Sequence, residues 1–396
     1  MNKIFVRFCI LQAAFWSFFA SLPGYITAYM LERGMNAGTL GVLLAVNMGF
    51  SFAGSLFWGR FVDRRQGHKQ FFLIGIGAAF VLGTLLFLFA GSPVVLFVLY
   101  PIFGFMMGPI ATTLDSWVIC AMHQVEAGAK SRTFGTLGYA FTMLGAGQLI
   151  TRFGYGIMPF MAAGFLILAF LIALTQPKTE LTVSGPASQP VKANPSQLLH
   201  SRKYLLLVAA VLFTGMTIAP INNMKVLIFE NVGGNVSFLG WDSFIGCLIQ
   251  SPFLIFSGKM DRMKSESRLT LGTLCAFGYA LLVFLAHTPA MVIAGTIMTN
   301  ISFGLLFPTM REITEESVHP TLRTTAHSII DVAYGSVSGM IASAWGGVTM
   351  ESSGPRVMTS ICMGLGIVAM LFCILLTLHK NEKSAVREKI SCETAV

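Results

Sequence analysis

The chain has 396 residues, 55% of them hydrophobic and only 11% charged, with a mean hydropathy of +0.73 and a net charge of +9. Set against the roughly 25% charged residues of an ordinary soluble domain, these values exclude a water-soluble globular protein. The excess positive charge does not indicate nucleic acid, because no basic run is interleaved with stacking aromatics; it reflects where lysine and arginine fall between apolar runs.

Twelve such runs are predicted, at 8–30, 38–58, 70–90, 93–121, 132–152, 156–176, 204–228, 238–258, 269–287, 289–311, 324–349 and 356–378. At about 1.5 Å of rise per residue, a helix of that length crosses a hydrocarbon core about 30 Å thick. The first run is longer than the roughly 7–15 apolar residues of a secretory leader and lacks a small-residue cleavage pattern, so it reads as a span. With both termini placed in the cytoplasm, 22 of the 26 lysines and arginines fall in cytoplasmic segments; only Arg33, Arg152, Lys225 and Arg356 lie at the other side. Cys9, Cys120, Cys247, Cys275, Cys362, Cys373 and Cys392 form no CxxC pair and lie mostly inside apolar runs, as reduced thiols do.

Residues 177–203, with Pro177, Pro186, Pro190 and Pro195, cannot continue a helix and form the one long connection. The expected organisation is a six-helix bundle over 1–176, a cytoplasmic linker over 177–203, a second six-helix bundle over 204–379 and a cytoplasmic tail over 380–396. The halves echo one another. Gly59-Arg60-Phe61-Val62-Asp63-Arg64 follows the second run and Gly258-Lys259-Met260-Asp261-Arg262 the eighth, while Gly104, Gly108 and Pro109 in the fourth are matched by Gly304 and Pro308 in the tenth. Consistent spacing of these matches argues for a duplicated unit, as in many secondary transporters.

Over the whole chain this pattern resembles the major facilitator superfamily, whose loop after the second helix reads approximately G-x-x-x-D-R-x-G-[RK]-[RK]. Here the loop runs Gly59 to Lys69, one residue longer between Arg64 and Gly67. The resemblance implies an all-α membrane protein of twelve transmembrane helices in two pseudo-symmetric bundles. It also implies that Asp63, Arg64, Asp261 and Arg262 latch the cytoplasmic side; the alternative is that they only set topology. Within the superfamily, Arg132-x-Phe134-Gly135-x-x-Gly138-Tyr139-Ala140 is similar to the fifth helix of the lactose permease group, where tryptophan stands in place of Tyr139. Asp115 falls near that group's helix-four carboxylate. The resemblance implies that Asp115 and Arg132 bind sugar hydroxyls. The group's His and Glu on helix ten have no counterpart in Ile297-Met298-Thr299-Asn300.

Read as chemistry, Arg132, Thr136 and Tyr139 share one helical face at i, i+4 and i+7. A guanidinium beside a carboxylate offers paired donors and acceptors to a polar solute, or forms a plain interhelical ion pair, or snorkels to the surface. His327, Asp331 and Tyr334 form a second such stripe. A carboxyl inside a span is expected to be desolvated and able to carry a coupled proton, with His327 sharing it or merely hydrogen-bonded nearby. Asp115 is the other candidate proton carrier. Asn222, Asn223 and Lys225 follow Pro220, which frees backbone carbonyls, and either line a cavity or, for Lys225, point outward. Asn47, Gln148, Asp242, Gln250 and Asn300 are weaker cavity candidates.

The expected function is proton-coupled secondary transport of a small polar solute, a sugar or glycoside first, across the cell membrane by a monomer in contact with lipid. Drug or sugar efflux by antiport is the alternative that the many Met and Phe residues suit. No HExxH, GxSxG, P-loop or metal-ligand cluster is present, so no enzyme, cofactor, metal or nucleic-acid partner is expected. A non-transporting sensor would need an output module larger than these loops and tails.

Overall fold

In the computed structural model, residues 3–65, 67–177, 198, 201–256, 263–319 and 322–393 are described, and they are helical with no strand among them. Helices α1 (Lys3–Ser21) and α2 (Pro23–Glu32) are separated by a break before Pro23. Then come α3 (Ala37–Arg65), α4 (His68–Leu88), α5 (Pro93–Met122), α6 (Val125–Phe153) and α7 (Met158–Leu174). The later set comprises α8 (Arg202–Asn223), α9 (Lys225–Asn231), α10 (Ser237–Phe256), α11 (Ser265–Phe284), α12 (Pro289–Ser317), α13 (Arg323–Asp331), a π-helical turn (Val332–Val337) and α14 (Ser338–Glu393). Nine runs among the described residues are long and apolar enough to cross a membrane, one of them, Thr325–Leu378, containing a break at Gly354. The chain is therefore an integral membrane protein. Its outward face is greasy, with Val94 and Phe160 about four-fifths exposed, which suits lipid rather than water.

Local chemistry sets the element ends. Proline opens α2, α5 and α12, where its missing N–H costs nothing. Among the described residues the positive-φ glycines come in two pairs: Gly34 with Gly233, 199 residues apart, and Gly154 with Gly354, 200 apart. Gly154 (φ 76°, ψ 175°) and Gly354 (φ 81°, ψ 177°) share one backbone conformation as well as one place in the helix order. Pro93 and Pro289, which start α5 and α12, are 196 residues apart. The repeated spacing seen in the sequence thus extends to backbone geometry.

Helices α1–α7 and α8–α14 meet along α3 with α14 and α6 with α10. Gly41 and Gly347 bring two backbones together so closely that a Cβ on Gly41 would collide with the Ser343 carbonyl. At the same seam the Gly38 amide donates to Glu351 Oε2 at 2.8 Å. Across the other seam, Gly240 packs on the Met143 carbonyl and Phe141 on Phe244, with ring centroids 5.4 Å apart. These contacts all involve the first half of α3 and the second half of α6. The close approaches of α3 to α14 run from Gly38 to Gly49, beside Met340, and beyond them Phe50, Leu56 and Phe57 are exposed. We call the end beyond these contacts the vestibule.

Several boundaries differ from expectation, three of them at candidate residues. Helix α6 begins at Val125, so Arg132 stands two turns inside a helix instead of at its mouth; Glu126 in the first turn complements the helix dipole and extends it. The seventh run breaks at Met224, whose φ of −105° and ψ of 16° leave the helical region four residues after Pro220. The eleventh contains the π turn.

Candidate functional site

A cavity of about 400 Å³ lies between the two sets of helices. Tyr139 and Met143 of α6 line one wall; Asn222, Asn223, Lys225, Asp242, Ser243, Gln250, Thr299, Asn300 and Tyr334 supply most of its remaining polar surface. The break at Met224 turns the chain so that Lys225, the first residue of α9, reaches α10. Its ammonium donates to Asp242 Oδ2 at 2.8 Å and to Thr296 Oγ1 at 3.1 Å, while Thr296 donates to the other Asp242 oxygen. Lys225 also lies 5.5 Å from the centroid of the Tyr279 ring, and Tyr279 donates to Asn222 Oδ1 at 2.8 Å. Lys225 and Asp242 are 8% and 3% exposed, so a full charge pair sits in low dielectric with hydrogen bonds completing it. Asn223 donates to Ser343 Oγ at 2.6 Å and thereby ties the cavity wall to α14.

Asp115 and Arg132 do pair, Nη1 to Oδ2 at 2.7 Å, but neither lines this cavity. Asp115 also accepts from Gln12 Nε2 at 2.7 Å, and the Arg132 guanidinium lies 4.1 Å over the Trp16 ring. Thr136 donates to the carbonyl of Arg132 in its own helix and is likewise absent from the cavity wall. Tyr139 reaches the wall, with Trp16 edge-on to its ring at 6.3 Å.

The second stripe divides. Tyr334 faces the cavity, whereas Asp331 pairs with Arg311 at 2.9 Å and His327 Nε2 lies 2.8 Å from Glu315 Oε1. Asp331 is 45% exposed, so the expected desolvated carboxyl is a solvated one with a guanidinium partner. As the last residue of α13, immediately before the π turn, it lies outside the cavity lining, towards the vestibule. The backbone of Asp63 and Arg64 closes α3; their side chains, and Asp261 and Arg262 entirely, lie outside the described residues. Asp242, only a weak candidate in the sequence, is the buried carboxylate of the site. The signal that pointed to it was an acidic residue five positions into an apolar run.

A membrane-embedded helical chain with a polar cavity between two sets of helices has the architecture of a transport protein. The chain belongs to the MFS_1 like family, whose model matches residues 8–360, and so to the major facilitator superfamily. The maltose permease of Geobacillus stearothermophilus is 24% identical over 383 residues, covering 95% of this chain and 94% of that one. Among solved structures, the nucleoside transporter NupG superposes with a TM-score of 0.82 at 13% identity, over 95% of this chain and 99% of that one. A bacterial metal transporter superposes with a TM-score of 0.69 at 11% identity, over 95% and 99%.

Proposed function

We propose that the protein is a proton-coupled carrier of a small polar, uncharged solute, a sugar or glycoside before others, in the cell membrane. The observation that carries this reading is the cavity walled by Lys225, Asp242 and Thr296, with tyrosines on both sides. Its net charge is zero and its surface is rich in amides and hydroxyls, which suits a polyhydroxylated solute; the likeness to a maltose permease supports the same class. Twelve spans, in halves 1–176 and 204–379 joined by 177–203, with termini and tail 380–396 in the cytoplasm, rock about this cavity. The vestibule then faces the cytoplasm, and one chain holds the whole site.

The proton is carried by Asp242. While ionised, it occupies both Lys225 and Thr296. Once protonated, it frees two donors for solute hydroxyls and leaves the cavity positive, so solute and proton favour each other's binding. The test is uptake of radiolabelled maltose and a panel of glycosides into proteoliposomes under an imposed pH gradient. Accumulation driven by an inward gradient, with alkalinisation of the medium on solute addition and loss of that dependence in Asp242→Asn, supports symport. Acidification on solute addition would mean antiport, and undiminished gradient-driven accumulation in Asp242→Asn would remove this carboxylate from coupling.

A further inference from the structure

The Asp115–Arg132 and Arg311–Asp331 ion pairs are equivalent positions with their charges exchanged, and Arg132, in the half of α6 away from the seam contacts, puts the first pair at the vestibule end as well. Asp115 and Arg311 are 196 residues apart, the same spacing as Pro93 and Pro289, which begin the helices that carry them. Arg132 and Asp331 are 199 apart, while the matching glycines at which the helical runs carrying them end, Gly154 and Gly354, are 200 apart. The difference of one residue falls where the π turn Val332–Val337 takes an extra residue into the helix. The first half therefore has aspartate on α5 and arginine on α6; the second has arginine on α12 and aspartate on α13.

Each arginine is also held the same way. Arg132 lies over Trp16 and Arg311 lies 4.9 Å over Phe307. From each a chain of rings leads to a cavity tyrosine: Trp16 to Tyr139 in the first half, and Phe307 to Phe303 at 5.5 Å and Phe303 to Tyr334 at 6.5 Å in the second. All four charged side chains are between 31% and 45% exposed, so each retains surface for a second partner.

We propose that these four residues form the closing gate of the vestibule by exchanging partners, Asp115 passing to Arg311 and Arg132 to Asp331 when the halves swing together. About a pseudo-two-fold axis, equivalent positions approach one another. Had both halves carried the same charges at the same places, closure would press aspartate on aspartate and arginine on arginine. The exchange makes both encounters attractive while keeping each within-half pair in the open state, so the two states are matched in ion pairs and a small bias from solute decides between them. The ring chains connect that bias to the cavity, since solute touching Tyr139 and Tyr334 presses on the aromatics that hold the arginines. The gate rests on the transport reading only for its purpose; its geometry is testable without a substrate.

Two measurements on the full chain test it. In protein with the native cysteines replaced, Asp115→Cys with Arg311→Cys, and Arg132→Cys with Asp331→Cys, are treated with short bifunctional thiol reagents, with and without Gly41→Leu to wedge the opposite seam apart. Cross-linking that rises severalfold with the wedge is expected for both pairs; no cross-link in either pair overturns the gate. In the second, Arg311→Asp with Asp331→Arg preserves the within-half pair but opposes like charges across the vestibule. Its uptake of radiolabelled maltose or uridine is expected to fall at least tenfold, with an unchanged melting temperature. Adding Asp115→Arg and Arg132→Asp restores every attraction and is expected to recover uptake. Wild-type uptake in the one-half exchange, or no recovery in the four-residue exchange, overturns partner exchange. If the wild type takes up neither solute, the substrate assignment fails and the cross-linking still decides the gate.

Discussion

Lys225 and Asp242 are seventeen residues apart in the chain and 2.8 Å apart in space, the ammonium delivered by the break after Asn223 and the carboxylate by α10. Removing one member of a buried ion pair strands the other charge and costs about 3–5 kcal/mol, whereas removing both spares that penalty. Lys225→Met and Asp242→Asn are each expected to lower the thermal unfolding midpoint of the purified protein by several degrees. The double variant is expected to lie above the lower of the two singles. Additive losses would show that the pair is not energetically coupled.

Asp331 is expected to behave differently from Asp242. It is half exposed and paired with a permanently charged guanidinium on α12, whereas Asp242 is buried against an ammonium at the cavity. Asp331→Asn is expected to slow the initial rate of uptake while leaving the accumulation ratio dependent on the pH gradient. Asp242→Asn is expected to lose that dependence. Rates and steady-state ratios measured with and without an imposed gradient separate the two.

The sequence was informative where chemistry is local and uninformative where partners are distant. Apolar runs are a consequence of satisfying every backbone polar group within lipid and read directly as helices, while the doubled Asp-Arg loops read as the superfamily. Asp115 and Arg132 were legible as a pair because a guanidinium and a carboxylate inside neighbouring runs have few other partners. Arg311 was not, since a charge at the predicted end of a run looks like an anchor. Only its position within α12, which continues to Ser317, shows it facing Asp331. Asp242 was underrated for a related reason: its value depends on Lys225, and nothing local announces that Met224 breaks the helix and turns that lysine inward. Thr136 shared a face with Arg132 as spacing required, yet its hydroxyl is satisfied by its own helix. Helical periodicity predicts the face, not the partner.

Cys247 lines the cavity one turn beyond Ser243, beside Gln250. A solute seated there covers the thiol. In protein whose other cysteines are replaced, alkylation by N-ethylmaleimide is expected to slow severalfold in the presence of a transported solute and to be indifferent to others. Measured against sugars, glycosides and nucleosides, this protection identifies the substrate. A transported solute that leaves the rate unchanged would place its site elsewhere.

The end opposite the vestibule is expected to be sensitive to acid. Glu32, at the end of α2, and Glu230, near the end of α9, line a second cavity of about 490 Å³ together with Tyr155. Partial burial, reinforced by the charge of Glu32, raises the Glu230 carboxyl above its ordinary value. Once the helices at this end separate, the carboxyl regains water and returns towards the ordinary glutamate value of about 4.3. The closed seam is then the state that binds the proton more tightly. Its advantage grows as pH falls through the raised value and is complete below the ordinary one, while above both values the repulsion between Glu32 and Glu230 opposes closure. Leu31 of α2 and Leu227 of α9 both line this cavity, one from each set of helices. Cross-linking of Leu31→Cys to Leu227→Cys by a short thiosulfonate reagent is expected to increase as pH is lowered from about 7 to about 5. In Glu230→Gln the yield is expected to be high and independent of pH; an equally steep pH dependence in that variant would assign the effect to another group.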